Sequence, residues 1–137
     1  MCTAHTVCGE LPDPKCSQPE PKFLCGSLRE LGKRGRCQVW SIGSAGETCM
    51  EEVVHAHAPG CTIHVFDPTV SADEPHIANL VKRGVIQFHP WGLGARDEKK
   101  SFTHYGKRAS RKATSLRLVS MMEKLGVDWI DYLKIDW

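Results

Sequence analysis

The sequence predicts an α/β fold built on a mostly parallel sheet. Short apolar segments of strand type alternate with segments of helical spacing between residues 38 and 89. Glycines stand at the changes from one type of segment to the next. An alternation of strand, helix, strand, helix, strand requires crossover connections, which favour parallel pairing. The chain has 137 residues, 41% of them hydrophobic, which is enough for one such core.

The N-terminal part is predicted to precede the sheet. Residues 1–22 hold four of the eight prolines and little periodic apolar content, which indicates an irregular segment. Residues 23–31 carry apolar side chains at helical spacing before a glycine, which predicts a short helix. We therefore divide the chain into a lead-in, residues 1–36, and a partial domain, residues 37–137.

The elements of the domain follow in order. They are strand 38–42, helix 47–58, strand 62–66, helix 73–83, strand 85–89, helix 115–125 and strand 130–135. The polar segment 96–112 allows two interpretations, a loop or an added hairpin around residues 101–105.

Seven cysteines are many for this length, but none of them form the close C-x2-C pairs that zinc sites use, so no metal is expected. Cys49 and Cys61 fall inside predicted elements and are interpreted as small buried thiols. A bridge between Cys25 and Cys37 is the alternative for a secreted chain. No signal-like start or membrane-length apolar stretch is visible, so the default expectation is a cytoplasmic protein without a membrane span.

The turn between the first strand and its helix is the strongest candidate for a binding site. Glycines there let a backbone approach a ligand, and the helix start offers free amide donors, which selects Gly43, Ser44, Gly46 and Glu47. Asp67 ends the next strand, where doubly wound folds place an acid for the hydroxyls of a cofactor ribose. The alternative is that Asp67 only caps a turn before a proline.

The glycine pattern helps to choose between cofactors. Nicotinamide enzymes share this topology, but their G-x-G-x-x-G fingerprint is absent from the loop, which has the sequence G-S-A-G. S-adenosylmethionine has no pyrophosphate and therefore needs one close backbone approach fewer.

The chain resembles the methyltransferase-like proteins related to FkbM-type methyltransferases. The motifs that carry the resemblance are Val39-Trp40-Ser41-Ile42-Gly43-Ser44, Val65-Phe66-Asp67-Pro68-Thr69, Gly92-Leu93-Gly94 with Arg96-Asp97, and Ile130-Asp131-Tyr132-Leu133-Lys134-Ile135-Asp136. The resemblance implies a Rossmann-like class I methyltransferase fold that binds S-adenosylmethionine. It implies that the Gly43 loop with Glu47 faces the methionine part of the cofactor, and that Asp67 holds the ribose.

It also implies that Trp91 and Gly92 lie near the adenine. Many relatives have an acid where this chain has Ser41. The family pattern continues beyond Asp136 with further strands. The resemblance therefore implies a truncated domain that contains only about the first four core strands.

The resemblance implies methyl transfer to an oxygen atom of a small-molecule or glycan-like acceptor. Asp136, at the end of the last predicted strand, is the candidate catalytic residue that takes the acceptor proton. The alternative is that Asp136 is a strand-terminal acid exposed by the truncation. His89 is interpreted as structural. Two alternatives to methyl transfer stay open: a non-catalytic fragment or binding module, and a nicotinamide-dependent oxidoreductase. Because of the truncation, the sequence leaves catalytic activity undecided, and it predicts no oligomeric state.

Seven basic residues and no acid lie between Lys99 and Met122, which fits either a solvated loop or a phosphate-binding surface. No nucleic-acid motif accompanies them, so no nucleic-acid partner is expected.

Overall fold

The computed structural model describes residues 4–6, 23–25, 28–104 and 110–136, with side chains from residue 30 onward. Strand β1 (Ala4–Thr6) pairs antiparallel with β2 (Phe23–Cys25), and helix α1 (Leu28–Gly32) follows. The expected helix over residues 23–31 is therefore wrong in its first half. Residues 23–25 are extended because their backbone pairs with β1, an interaction that local apolar spacing does not show.

The domain begins with an alternation of strands and helices, as predicted. Its elements are β3 (Cys37–Ile42), α2 (Cys49–His57), β4 (Cys61–Phe66), α3 (Pro75–Lys82) and β5 (Gln87–His89). Strands β3 and β4 are almost fully buried, which explains their near-continuous apolar sequence. Every predicted element of this part is present, with ends shifted by two residues or fewer.

A second, smaller sheet follows. It consists of β6 (Trp91–Leu93), β7 (Glu98–Thr103) and β8 (Ser110–Leu116), in the order β6-β8-β7. Strands β7 and β8 form an antiparallel hairpin, so the hairpin interpretation of the polar segment is confirmed. Its expected centre at residues 101–105 lies at the end of β7, and residue 105 is outside the described residues.

Helix α4 (Leu118–Leu125) and strand β9 (Tyr132–Ile135) complete the described chain. The helix was expected from residue 115, but Ser115 and Leu116 belong to β8, where they pair with β6 and β7. Their burial against the small sheet, rather than helical spacing, decides their conformation. Gly126 ends α4 in the left-handed region at φ 65°.

The main sheet is parallel throughout, in the order β5-β4-β3-β9. Its two faces have separate cores. Helices α2 and α3 cover one face through residues such as Val53 and Leu80, and the other face packs Trp40 and Phe66 against Met121 of α4. The sheet is thus covered on both sides, as in a doubly wound fold.

The sheet also carries a covalent link. Cys37 and Cys61 are the first residues of β3 and β4, pair directly in register, and form a disulfide with Cα atoms 4.5 Å apart. Cys49 is disulfide-bonded as well. The interpretation of Cys49 and Cys61 as buried thiols is therefore wrong, and so is the alternative bridge from Cys25 to Cys37. Only the parallel register brings Cys37 and Cys61 together.

In the described residues, none of the helices is long and apolar enough to cross a bilayer. The division of the chain at residue 36 stays a prediction.

Candidate functional site

The candidate site lies at the carboxyl ends of the parallel strands. Strand β3 is central, with β4 and β5 on one side and β9 on the other. Strands β4 and β5 are added successively on one side of β3, whereas the later strand β9 is added on the other side, so the strand order reverses at β3. Ligands of open α/β sheets bind outside the carboxyl ends of the strands at such a switch point. Gly43 follows β3 there, and Asp136 follows β9.

The backbone conformation and the close packing at position 43 require a glycine. It has φ +81°, and a Cβ atom at this position would overlap the carbonyl oxygen of Asp136. Its amide donates to Phe66 O at 2.9 Å, and the Asp136 amide donates to Ile42 O at 2.8 Å. The two residues selected from opposite ends of the domain sequence, Gly43 and Asp136, are therefore in direct backbone contact.

Asp67 binds the glycine loop. One carboxylate oxygen accepts hydrogen bonds from the amides of Ser44 at 3.0 Å and Ala45 at 2.7 Å. The other accepts from the Thr69 amide at 2.8 Å and the Thr69 hydroxyl at 2.6 Å. Asp67 is only 3% exposed. The carboxylate thus caps its own turn and holds the preceding loop at the same time.

The loop itself is tightly turned. Ala45 has φ 51° and Gly46 has φ 87°, and the Gly46 amide donates to the Ser44 hydroxyl at 3.2 Å. Ser44 is 5% exposed, whereas the Glu47 side chain is exposed. The structure therefore brings Ser44 and Gly46 together with Asp67. The expected roles of Glu47 toward a methionine group and of Asp67 toward a ribose stay predictions.

A buried acid near this loop was missed by the sequence analysis. Glu51, in the first turn of α2, is 1% exposed. Burial raises the pKa of its carboxyl, and the Lys134 ammonium and the Ser41 hydroxyl oppose that rise. Within the described residues, neither carboxyl oxygen of Glu51 has a hydrogen-bond partner of good distance and angle. The one sequence signal was the position of Glu51 three residues before Val54, on the buried face of the helix.

Lys134 approaches the same place from β9. Its side chain is 11% exposed, and its ammonium lies 3.4 Å from Gly43 O, 3.5 Å from Ser41 Oγ and 3.7 Å from Asp136 Oδ2. Ser41 is completely buried. A carboxyl, a hydroxyl and an ammonium thus meet beneath the glycine loop.

A row of aromatic rings lies across the sheet on the other face. Ring centroids of His89 lie 4.9 Å from Phe66 and 4.8 Å from Trp91. His64 Nδ1 lies 3.0 Å from His89 Nε2. Burial lowers the pKa of both imidazoles to about 4, and for His64 the neighbouring His89 adds to the effect. No third metal-binding side chain joins this pair in the described part of the chain.

The row places two more of the predicted residues. Trp91 is half-buried at its end, after the third strand as expected. Gly92 is buried, and a Cβ there would overlap the Phe102 ring and lie 3.1 Å from Pro68 Cγ. Gly92 is therefore explained by packing, and the proximity of either residue to an adenine stays a prediction.

The comparison with protein families agrees with this geometry. A family described as a methyltransferase domain matches residues 5–137. The chain belongs to this methyltransferase-domain family. No curated protein matches the chain, and no solved structure matches it. Membership supports methyltransferase activity in general, and methyltransferase domains generally use S-adenosylmethionine.

In this methyltransferase domain, Asp97 connects the hairpin to α4. It accepts from the Arg117 amide at 2.8 Å and the Ser120 hydroxyl at 2.6 Å, and pairs with the Arg117 guanidinium. These hydrogen bonds hold the pKa of the Asp97 carboxyl well below its usual range. Asp97 therefore stabilises the start of the helix, where an anionic group is favourable.

The basic segment is divided among structural contacts. Arg111 donates to Val70 O at 2.9 Å, Lys99 to Thr114 Oγ1 at 2.6 Å, and Arg117 pairs with Asp97. Lys107 and Arg108 lie outside the described residues. The described basic side chains are therefore spread over a hairpin and a helix start, and several of them have partners within the chain.

Proposed function

We propose that this domain binds S-adenosylmethionine at the carboxyl edge of its parallel sheet and methylates an oxygen atom of a small-molecule or glycan-like acceptor, as an FkbM-type enzyme. One observation carries the proposal. In a chain of the methyltransferase-domain family, the glycine loop after β3 is bound by the acid that ends β4, beside the switch point of the sheet.

The chemistry of these residues fits the cofactor. S-adenosylmethionine has a ribose with two hydroxyls, an amino-acid end and a cationic sulfonium. Asp67 supplies acceptors for hydroxyl donors at the end of β4, and the positive φ of Gly43 and Gly46 lets a backbone approach closely. The Asp67 carboxylate already accepts four hydrogen bonds, so a ribose has to share or replace bonds from the loop amides.

Methyl transfer moves one group and one proton. The cofactor, when bound, supplies an electrophilic methyl group on sulfur. With the cofactor bound, the acceptor oxygen would take the methyl group as the carbon–sulfur bond breaks, and the acceptor would lose its proton. Asp136, whose side chain is 49% exposed at the end of β9, is the base that we assign to take this proton. The Lys134 ammonium lies 3.7 Å from Oδ2 of this carboxylate.

Calorimetric titration tests the binding step. We expect S-adenosylhomocysteine to bind the folded protein and NAD to give no heat at the same concentration. Heat from NAD alone would support a nicotinamide enzyme instead, and no heat from either ligand would refute the proposed cofactor site.

A pair of variants tests the catalytic step. Asp136→Asn should lose at least about 100-fold in methyl transfer, the usual contribution of general acid–base catalysis, with little change in S-adenosylhomocysteine affinity. The matched control is Asp128→Asn, an acid that is 82% exposed outside the site, and it should retain activity. Cofactor binding without turnover in the unmutated chain would support the alternative of a binding module.

A further inference from the structure

Two oppositely charged residues beneath the glycine loop have no role in the function described so far. Glu51 comes from the first turn of α2, and Lys134 comes from β9, 83 positions later in the sequence. Both are nearly enclosed: Glu51 is 1% exposed, and the Lys134 side chain is 11% exposed. The fold therefore buries two long polar side chains at one place beside the candidate site.

Burial without partners is unfavourable for a carboxyl. Moving a carboxylate out of water is costly unless hydrogen bonds or a counter-charge replace the lost solvation. For Glu51, the Ser41 hydroxyl and Lys134 ammonium reduce that cost through charge and dipole, but neither oxygen accepts a well-formed hydrogen bond from the described residues. Buried side-chain oxygens of this kind normally have a partner. Glu51 therefore has acceptor capacity that the described part of the chain does not use.

Lys134 is also incompletely satisfied. Its contacts to Gly43 O and Ser41 Oγ are long, at 3.4 Å and 3.5 Å, and its separation from Asp136 Oδ2 is 3.7 Å. Close charge-assisted hydrogen bonds between an ammonium and a carboxylate are shorter, at about 2.7 to 2.9 Å. The ammonium can therefore gain from a carboxylate at the Gly43 loop. The remaining 11% exposure of its side chain shows that this position borders the surface.

We propose that Glu51 and Lys134 bind the amino-acid end of the cofactor, with Glu51 accepting hydrogen bonds from the α-ammonium and Lys134 pairing with the α-carboxylate. An α-amino-acid group carries one positive and one negative charge a few bonds apart. A buried acid and a nearly buried base beside one loop are complementary to that pair of charges. This inference rests on the proposed function, because it assigns residues to one end of the same ligand.

Two ligands that differ only at this end test the assignment. S-adenosylhomocysteine carries the amino-acid group, whereas 5′-methylthioadenosine keeps the adenosine and sulfur without it. We expect Glu51→Gln to weaken S-adenosylhomocysteine about tenfold or more, as for the loss of one charged hydrogen bond. The same variant should leave 5′-methylthioadenosine affinity within about twofold, because that ligand has no ammonium to lose.

The next residue on the helix provides a matched control. Glu52 has the same side chain, but it is 30% exposed and already accepts a hydrogen bond from Thr48 Oγ1 at 3.0 Å. Glu52→Gln should leave the affinities for both ligands unchanged. An equal loss for both ligands in Glu51→Gln would show a structural role and overturn the inference, and so would no loss for either.

A second variant tests the other charge and covers a failure of Glu51→Gln to fold. Lys134→Met should weaken S-adenosylhomocysteine about tenfold while leaving its decarboxylated analogue unaffected. Equal weakening of the two would overturn the assignment of Lys134. If the unmutated protein binds 5′-methylthioadenosine and S-adenosylhomocysteine equally well, this inference fails and the proposed function stands. If it binds neither ligand, the proposed function fails together with the inference.

Discussion

Replacement of Gly43 by alanine should be far more destabilising than a glycine replacement of the same backbone type elsewhere. Gly43 has φ +81°, and a Cβ there would overlap the Asp136 carbonyl oxygen. Gly84 has φ +72°, with nothing within 4 Å of the added atom. The two glycines therefore share the conformational penalty of a left-handed residue, and only one adds a steric conflict.

The expected magnitudes follow from these two terms. The left-handed conformation costs an alanine about 1 to 2 kcal/mol, and this is the whole effect expected for Gly84→Ala. At Gly43, the added Cβ also forces the ends of β3 and β9 apart, and such a steric conflict costs about 1 to 3 kcal/mol. The Asp136 amide also loses its 2.8 Å hydrogen bond to Ile42 O, worth about 1 kcal/mol. Gly43→Ala should thus cost about 3 to 6 kcal/mol in total.

Urea unfolding of the three proteins, followed by circular dichroism, measures the difference directly. The free energy of unfolding should fall by at least about 2 kcal/mol more for Gly43→Ala than for Gly84→Ala. Gly43→Ala should also lose affinity for S-adenosylhomocysteine, whereas Gly84→Ala should keep it. Equal destabilisation by the two variants would refute the close approach of the loop to the end of β9.

Two further predictions concern stability away from the loop. Burial lowers the pKa of His64 and His89 from 6.5 to about 4, so between these pH values the unfolded chain binds protons that the folded protein does not bind. The contribution of this pair to the free energy of unfolding should be constant above about pH 6.5 and should decrease as the pH falls toward 4. The decrease for the buried His64 should be about 3 kcal/mol. Unfolding measured across this range should show a smaller decrease in His64→Gln, and an unchanged pH dependence in that variant would contradict the assignment. Replacing both Cys37 and Cys61 by serine removes a disulfide that spans 24 residues, and it should lower the free energy of unfolding, measured by heat or urea, by about 3 kcal/mol. Affinity for S-adenosylhomocysteine should be retained, because the disulfide lies at the opposite end of the strands from the candidate site. A loss of affinity in the folded serine variant would show that the site depends on the bridge.

The strands of the main sheet were predictable because their burial is recorded in local sequence. Strands β3 and β4 are apolar almost throughout and are bounded by glycine or proline, so their positions were found to within one residue. Elements that depend on distant partners were placed less well. Ser115 and Leu116 fit a helical period but pair with the small sheet, and residues 23–25 fit a helix but pair with β1.

The candidate site shows the same division. The proximity of the Gly43 loop to Asp67 followed from parallel pairing of consecutive strands, which aligns their carboxyl ends. Glu51 and Lys134 were missed as a pair because they meet only when β9 joins the sheet beside β3, and their sequence separation gives no local signal. The Cys37 to Cys61 bridge was missed for the same reason, since it depends on register rather than on spacing.

Strand β9 belongs both to the candidate site and to the border of the main sheet. It forms one wall of the candidate site through Lys134 and Asp136, and in the described part of the chain it pairs with β3 alone. Leu133 and Ile135, which alternate with Lys134 along this strand, are 37% and 49% exposed. An open strand border with apolar side chains invites another strand. Any chain segment or protein that covers this border would also hold Lys134 and Asp136 in place. Ligand affinity is therefore expected to change when the border of β9 is covered.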